Sequence, residues 1–344
     1  MTLRSLLMTF IAGATALMAA DEKRLLIIGN SYTFYNDLPA IVQSMAHATR
    51  TPLHVDSYTA GAMSLRGFLN SPQHARCKTM LREGEYDWVL LQDQSQTPSQ
   101  RPSETLNSVA EWSKLAAESG TKVVLFLTWA HAAQEEHKLV LQSAMQNDTG
   151  RTYCQAAIQN KAKVAPVGEA WRRWYTKHPQ QPLHTNDLSH PTAEGSYLAA
   201  CVIYGTITGK APIGLPAAPR NTKIRLNKSR ARELQKTAEL TLRKFSPADY
   251  LNKLSEQDQE LPSPDDIVNM LSKGMKINIF HKKLGKPHLV TKNSEQVTYQ
   301  YRLRHQAELA AYCTRNGTIQ QISIATPGSG VRIIDLNELE SSKN

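Results

Sequence analysis

"RLLIIGNSYTF" (24–34) is the stretch from which the rest of this chain is read. Its apolar run stops at Gly29, and Asn30 and Ser31 follow before a helix can begin. A short, continuously apolar segment of this kind reads as a strand buried on both faces, which is the habit of parallel sheets. In open parallel sheets, ligands bind beyond the carboxyl ends of the strands. Ser31 stands at such an end. The segment alone leaves two roles open for it: a nucleophile, or a helix cap that accepts from orphan backbone N–H groups.

Further apolar runs follow at 53–60, 88–92, 122–129 and 163–168, and they read as four more strands. Helical patterns separate them, at 38–48, 72–83, 104–119, 134–145 and 151–163. Strands alternating with helices predict a parallel sheet covered on both faces. A helix over 192–208 starts directly after Pro191, a residue favoured at helix starts. The Pro- and Gly-rich stretch 209–222 reads as a boundary, followed by a long basic helix (228–245) and a polar linker with some helical content (246–262). The last eighty or so residues change character. Two short helices lead into alternating runs at 297–303 and 308–325, the latter turning at Asn316-Gly317, a strong hairpin signal.

The 344 residues are 41% hydrophobic and 20% charged, ample for a packed core. "MTLRSLLMTFIAGATALMAADEKR" (1–24) has a basic start, a short apolar run and small residues before a charged stretch. That pattern predicts a signal peptide over 1–20, hence an exported, periplasmic or secreted protein with no stable membrane span after cleavage. Cys77, Cys154, Cys201 and Cys313 form no CxxC pair, so neither a zinc site nor a dithiol motif is expected, and Cys201 reads as a core residue. No metal cluster or cofactor motif is visible, and none is expected. The net charge of +10 is concentrated in 223–245 and 273–288, without aromatic interleaving in the first stretch. This reads as a solvated basic face, not as a nucleic-acid site. Attraction to acidic polysaccharide is the other reading of that charge.

A nucleophilic serine needs a base, and the base needs an orienting group. "NDLSHPTAEG" (186–195) supplies Asp187 and His190 three residues apart at the mouth of a helix, close enough for the carboxylate to fix the imidazole tautomer. "TAGAMSL" (59–65) offers the unobstructed N–H of Gly61 after the second strand. "QDQSQTP" (92–98) offers the amides of Gln92 and Gln94 after the third. With Ser31 N–H, the Gly61 N–H and a glutamine amide would form an oxyanion hole. Tyr32, Gln92, Trp129 and Trp171 are candidates to line a substrate pocket, with core packing as the alternative for each aromatic. His131 and His184 also lie near motif ends.

The order Ser, Gly, amide, then Asp-x-x-His resembles the SGNH (GDSL-type) hydrolases over about 24–213. "IGNSYT" stands where that family usually has Gly-Asp-Ser, with Asn30 in place of the aspartate, "GAMSL" at its glycine block, and "DLSH" at its Asp-x-x-His block. The usual Gly-x-Asn-Asp is "QDQS" here, which puts Gln94 in the asparagine place. The resemblance implies a flavodoxin-like three-layer α/β sheet. It also implies acyl-ester hydrolysis through an acyl-enzyme, with Ser31 as nucleophile, His190 as general acid/base, Asp187 as its orienter, and Ser31, Gly61 and Gln94 as the oxyanion hole. Carbohydrate acetyl esters are the substrates it suggests.

The segment 264–326 resembles the BamE-like (SmpA/OmlA) envelope domains, which implies a small α+β docking module for an envelope partner. The expected organisation is a signal peptide (1–20), a catalytic domain (21–222), a basic helix and linker (223–262) and a BamE-like domain (263–344). The alternative is a non-catalytic envelope protein that binds a glycan or a partner through an SGNH-like domain.

Overall fold

The computed structural model describes residues 22–135, 138–259, 261–285, 287, 289–303, 307–326 and 330–339. The expected signal peptide lies outside them. In chain order the first part runs β1 (Lys23–Gly29), α1 (Ser31–Phe34), α2 (Leu38–Ala48), β2 (Leu53–Thr59), α3 (Leu65–Asn70), α4 (Ala75–Glu83), β3 (Trp88–Leu91), α5 (Thr97–Gln100) and α6 (Pro102–Glu118). It continues through β4 (Lys122–Phe126), β5 (Ala132–Glu135), β6 (Lys138–Leu141), α7 (Ser143–Asn160), β7 (Lys163–Ala165), α8 (Val167–Lys177), α9 (Ala193–Thr208), α10 (Lys228–Lys244) and α11 (Pro247–Gln259). Strands β1, β2, β3, β4 and β7 form one sheet in the order β2-β1-β3-β4-β7, every pair parallel. This is the flavodoxin-like order, with its switch point between β1 and β3, the place where such folds bind ligands.

Strand periodicity distributes the core. Leu25 and Ile27 of β1, with Leu90, Val124 and Phe126, pack under α2, α8, α9 and α10. Leu26 and Ile28, with Val89, Leu91 and Leu125, pack under α3, α4, α6 and α7. Both faces of the sheet are therefore dry, which is why its strands are apolar without alternation. Helix α9 is buried without interruption from Gly195 to Gly205, sandwiched between the sheet, α2, α8 and α10.

Three expectations are corrected here. The helical pattern over 134–145 is instead the hairpin β5–β6, with Ala132 paired to Leu141. Tertiary bonds decide this, because Ala132 N–H donates to Leu188 O at 2.8 Å and ties the hairpin to the loop carrying Asp187. Helix α7 then runs unbroken through Gly150, where the sequence suggested an interruption. That glycine serves close approach, since a Cβ there would lie 2.3 Å from the Tyr250 hydroxyl. Finally, the basic helix, expected between the catalytic domain and the linker, is α10, and its Ala231, Leu234 and Ala238 belong to the core under the sheet. Tyr250 and Leu251 of α11, expected as linker, pack against the core on the other face.

The remainder comprises α12 (Pro264–Asn269), α13 (Ile277–Leu284), β8 (Leu289–Lys292), β9 (Gln296–Arg302), β10 (Glu308–Thr314), β11 (Ile319–Thr326) and β12 (Gly330–Asp335). Its strands form a second sheet in the order β12-β11-β10-β9-β8, and the three pairs β8–β9, β9–β10 and β10–β11 are antiparallel, as is β11–β12. The expected hairpin turns at Gly317, whose φ of +76° suits glycine. Arg302 on β9 pairs two-pronged with Asp148 on α7 and bridges the two sheets' units. All four cysteines are free and buried.

Candidate active site

Ser31 opens α1 immediately beyond β1, and Asn30 is the helix N-cap. The capping role proposed for Ser31 thus falls to its neighbour, whose Oδ1 accepts from Tyr32 N–H at 3.2 Å. Asn30 does more than cap. It is 2% exposed, its Oδ1 also accepts from Gln92 Nε2 at 2.9 Å, and its Nδ2 donates to Met63 O at 3.0 Å and Asp93 O at 3.2 Å. All four hydrogen-bonding positions of this amide are filled, and they join the ends of β1, β2 and β3. Gln92 closes the knot, its Oε1 accepting from Asn30 N–H at 2.9 Å and Thr33 Oγ1 at 3.0 Å. Gly29 permits this approach, because a Cβ there would stand 2.6 Å from Gln92 Oε1.

Asp93, a residue the sequence did not single out, organises the same loops from below. Its carboxylate accepts from Leu65 N–H and Gln94 N–H, each at 2.8 Å, and from Thr105 Oγ1 at 2.6 Å. Burial pushes its pKa up against those three bonds. Only burial distinguishes this carboxylate from others in the chain, and the sequence carries no direct signal of it.

Ser31 and His190 meet across 159 residues, with Ser31 Oγ 2.9 Å from His190 Nε2. His190 Nδ1 lies 2.6 Å from Asp187 Oδ2. Asp187 Oδ1 in turn accepts from Ser189 N–H and His190 N–H, each at 2.9 Å, and from Thr185 Oγ1 at 2.7 Å. Burial would raise the Asp187 carboxyl, but the bonds from His190, Ser189 and Thr185 outweigh it and hold it well below the usual carboxylate range. An ionised Asp187 therefore accepts a hydrogen bond from His190 Nδ1–H, which fixes the tautomer and leaves Nε2 free to accept from the Ser31 hydroxyl.

The loop bearing this pair is bolted down by His184, 2% exposed. Tyr175 Oη accepts from Leu183 N–H at 2.9 Å and His184 N–H at 3.2 Å, so its own hydrogen goes to His184 Nδ1 at 2.8 Å. Nε2–H then donates to Ala130 O at 3.0 Å. The ring is held neutral, and burial lowers its pKa to about 4. Its ordinary value in an unfolded chain is roughly 6.5, so below that pH the unfolded state binds a proton that the folded state refuses. The associated stability is whole above pH ~6.5 and falls as pH drops towards 4, by on the order of 3 kcal/mol. Urea midpoints across this window are expected to fall more steeply in the wild type than in His184→Gln; parallel curves would refute the assignment.

Gly61 lies in the exposed turn after β2, with open space around its α-carbon. Ala60 N–H donates to Gly29 O at 3.2 Å, which sets this turn beside the Ser31 turn. Among the described residues, neither Ser31 N–H nor Gly61 N–H has a hydrogen-bond partner. Gln94 departs from expectation. Its Oε1 accepts from Gln96 N–H at 2.8 Å and Thr97 N–H at 3.1 Å, capping α5, while its Nε2 contacts Ser95 Oγ at 3.3 Å. Its Oε1 is thus occupied within its own loop, and its Nε2 makes one bond there.

The expected pocket-lining residues are corrected as well. Gln92 and Trp129 are fully buried and Tyr32 is 2% exposed, so all three lie beneath the site. Tyr32 stacks on Trp129 at 4.5 Å, and Trp129 on Trp171 at 4.0 Å. Tyr32 Oη bonds Ser189 Oγ at 2.8 Å, and Trp129 Nε1 donates to Ser189 O at 2.9 Å. The rings form a floor that grips the His190 loop, each contact contributing about 1 kcal/mol beyond burial. His131, beside Asp187 and His190, is kept towards neutrality by burial.

Among solved structures the chain resembles a DUF4886 family protein from Bacteroides uniformis, at 18% identity, over 65% of this chain and 96% of that one, with a TM-score of 0.56. It also resembles a candidate SGNH hydrolase from Slackia heliotrinireducens, at 26% identity, over 54% of this chain and 100% of that one, with a TM-score of 0.48. A third likeness is to the acetyl xylan esterase AlAXEase, at 13% identity, over 54% and 99% of the two chains, with a TM-score of 0.45. The likeness to the DUF4886 family protein is one of fold, and that fold is flavodoxin-like. No protein-family model and no curated protein matches the chain. The flavodoxin-like fold accounts for why a serine after β1 and an Asp-x-x-His before α9 meet: both lie at the carboxyl end of the sheet.

Proposed function

We propose that this protein is a serine esterase that cleaves acyl esters through an acyl-enzyme on Ser31. The observation that carries the reading is the hydrogen-bonded line Ser31 Oγ, His190, Asp187, at 2.9 and 2.6 Å. In this mechanism Ser31 Oγ attacks the ester carbonyl carbon while His190 Nε2 takes its proton. The two unpartnered N–H groups, of Ser31 and Gly61, are the donors for the oxyanion. Collapse of the tetrahedral adduct breaks the bond to the alcohol, which leaves with the proton from His190. Water, deprotonated by the same imidazole, then attacks the acyl carbon, and the imidazolium returns that proton to Ser31 Oγ as its bond to the acyl group breaks and the acid leaves.

The finer reading is an exported esterase acting on carbohydrate acetyl esters, whose C-terminal sheet is a BamE-like docking module for an envelope partner. The leader-like 1–20 and the resemblance of 264–326 support it. Among the described residues no helix is long and apolar enough to cross a membrane.

Activity-based labelling with a fluorophosphonate tests the central claim. The probe should modify the peptide containing Ser31, and Ser31→Ala should abolish labelling. Undiminished labelling of that variant, or modification elsewhere, would refute the assignment to Ser31, and no labelling of the wild type would favour the non-catalytic, glycan- or partner-binding alternative.

A further inference from the structure

We propose that Tyr35, held by the Asn36–Asp37 turn, is a positioning residue for His190; the proposal rests on the esterase reading. The Tyr35 ring stacks on the His190 imidazole with centroids 4.3 Å apart and planes 16° from parallel. That face needs covering, because the dyad is open: the side chains of His190 and Asp187 are 26% and 46% exposed. The groups around the imidazole are Ser31 and Asp187 on its two nitrogens, Tyr35 on one face, Tyr32 edge-on at 5.8 Å, and His131 nearby.

The backbone that presents Tyr35 is unusual. Asn36 and Asp37, consecutive and neither a glycine, have φ of 54° and 56°, in the left-handed region that L-residues rarely adopt. Such conformations persist only where surrounding contacts over-determine them. Here the contact is Asn36 Nδ2, which donates to Pro191 O at 3.1 Å and Ser196 Oγ at 2.9 Å. On the other side of His190, Tyr32 Oη holds Ser189 Oγ at 2.8 Å. Both chain neighbours of His190 and its ring face are thus gripped from within five residues of Ser31. The turn converts the distant base into part of the nucleophile's own scaffold.

Two effects on catalysis follow. A ring covered on one face cannot rotate out of line with Ser31 and Asp187. When the imidazole takes the serine proton, the tyrosine π-face also stabilises the cation, an interaction made only as the transition state forms. The change should therefore fall on kcat and leave KM in place.

The test compares wild type, Tyr35→Phe, Tyr35→Leu and Asn36→Gly for aryl acetate hydrolysis, alongside the NMR shifts of the His190 ring protons. Tyr35→Leu should lower kcat about tenfold with KM within about twofold. Tyr35→Phe, which keeps the π-face, should stay within about twofold of wild type. Asn36→Gly keeps the left-handed turn but loses the clamp, and kcat should fall about fivefold. The His190 ring protons should lose their ring-current shift in Tyr35→Leu and keep it in Tyr35→Phe.

Wild-type kcat in Tyr35→Leu, equal loss in the Leu and Phe variants, or a change confined to KM would overturn the proposal. If the wild type hydrolyses no ester at all, the esterase reading fails separately. The ring-proton shifts then decide: an unmoved His190 signal in Tyr35→Leu shows that Tyr35 does not hold the ring.

Discussion

Ser31→Ala and His190→Ala are each expected to lower kcat/KM for an aryl acetate by roughly four orders of magnitude, and the double variant by little more than either alone. The two side chains share one proton along the 2.9 Å contact, so removing either disables the same step. The oxyanion donors would survive both changes, because they are backbone N–H groups, and should leave a small residual rate. Stability should hardly move. Ser31 is half-buried and its hydroxyl makes a single side-chain bond, to His190, so melting temperatures within a few degrees of wild type are expected. Equal turnover by wild type and Ser31→Ala would sink the esterase assignment. A double variant far slower than both singles would show that serine and histidine act independently.

Asn30→Asp carries the second large effect, and it bears on one of the two places where the sequence departs from the pattern it resembles. Two of the four bonds of Asn30 are donated, to Met63 O and Asp93 O, and a carboxylate cannot donate them. It would instead face two carbonyl oxygens in a site where Asn30 is 2% exposed. Two lost buried bonds at about 1–3 kcal/mol each predict a loss near 3 kcal/mol, or roughly 10 °C in melting temperature. Activity should fall by about 10²-fold as well, since Asn30 sets the backbone from which Ser31 N–H points and holds the turn carrying Gly61. Thermal melts and kcat of Asn30→Asp check this directly. A variant as stable and active as wild type would show that the knot is dispensable and that the family's aspartate fits this scaffold.

How much of this was legible differs from residue to residue. Ser31, Asp187 and His190 were named by their places at strand and helix ends, where the pattern is local and the residue types are few. Gln92 and Gln94 were not separable in the sequence, since both are amides after the same strand. In the structure one is sealed beneath Asn30 while the other caps α5. For Tyr32 and Trp129 pocket lining and core packing stood side by side, and burial decides for packing, because an aromatic at a strand end carries no mark of which way it faces. Tyr35 and Asn36 were not singled out: Asn-Asp tolerates the left-handed region but does not demand it, and the Asn36 contacts reach 155 and 160 residues along the chain. The β5–β6 hairpin and α11 were misread for a related reason, since each takes its form from a partner distant in sequence.

The sequence by itself determined the parallel α/β architecture and the end of the sheet at which function would lie. Apolar runs, helix periods and turn residues are set by neighbours a few positions away, and strand direction then places every loop. The tertiary structure alone decided which donors stay free, which amide is buried, and how the imidazole is held. Hydrogen-bond partnership depends on distances of about 3 Å between segments more than a hundred residues apart, and no local pattern encodes such distances.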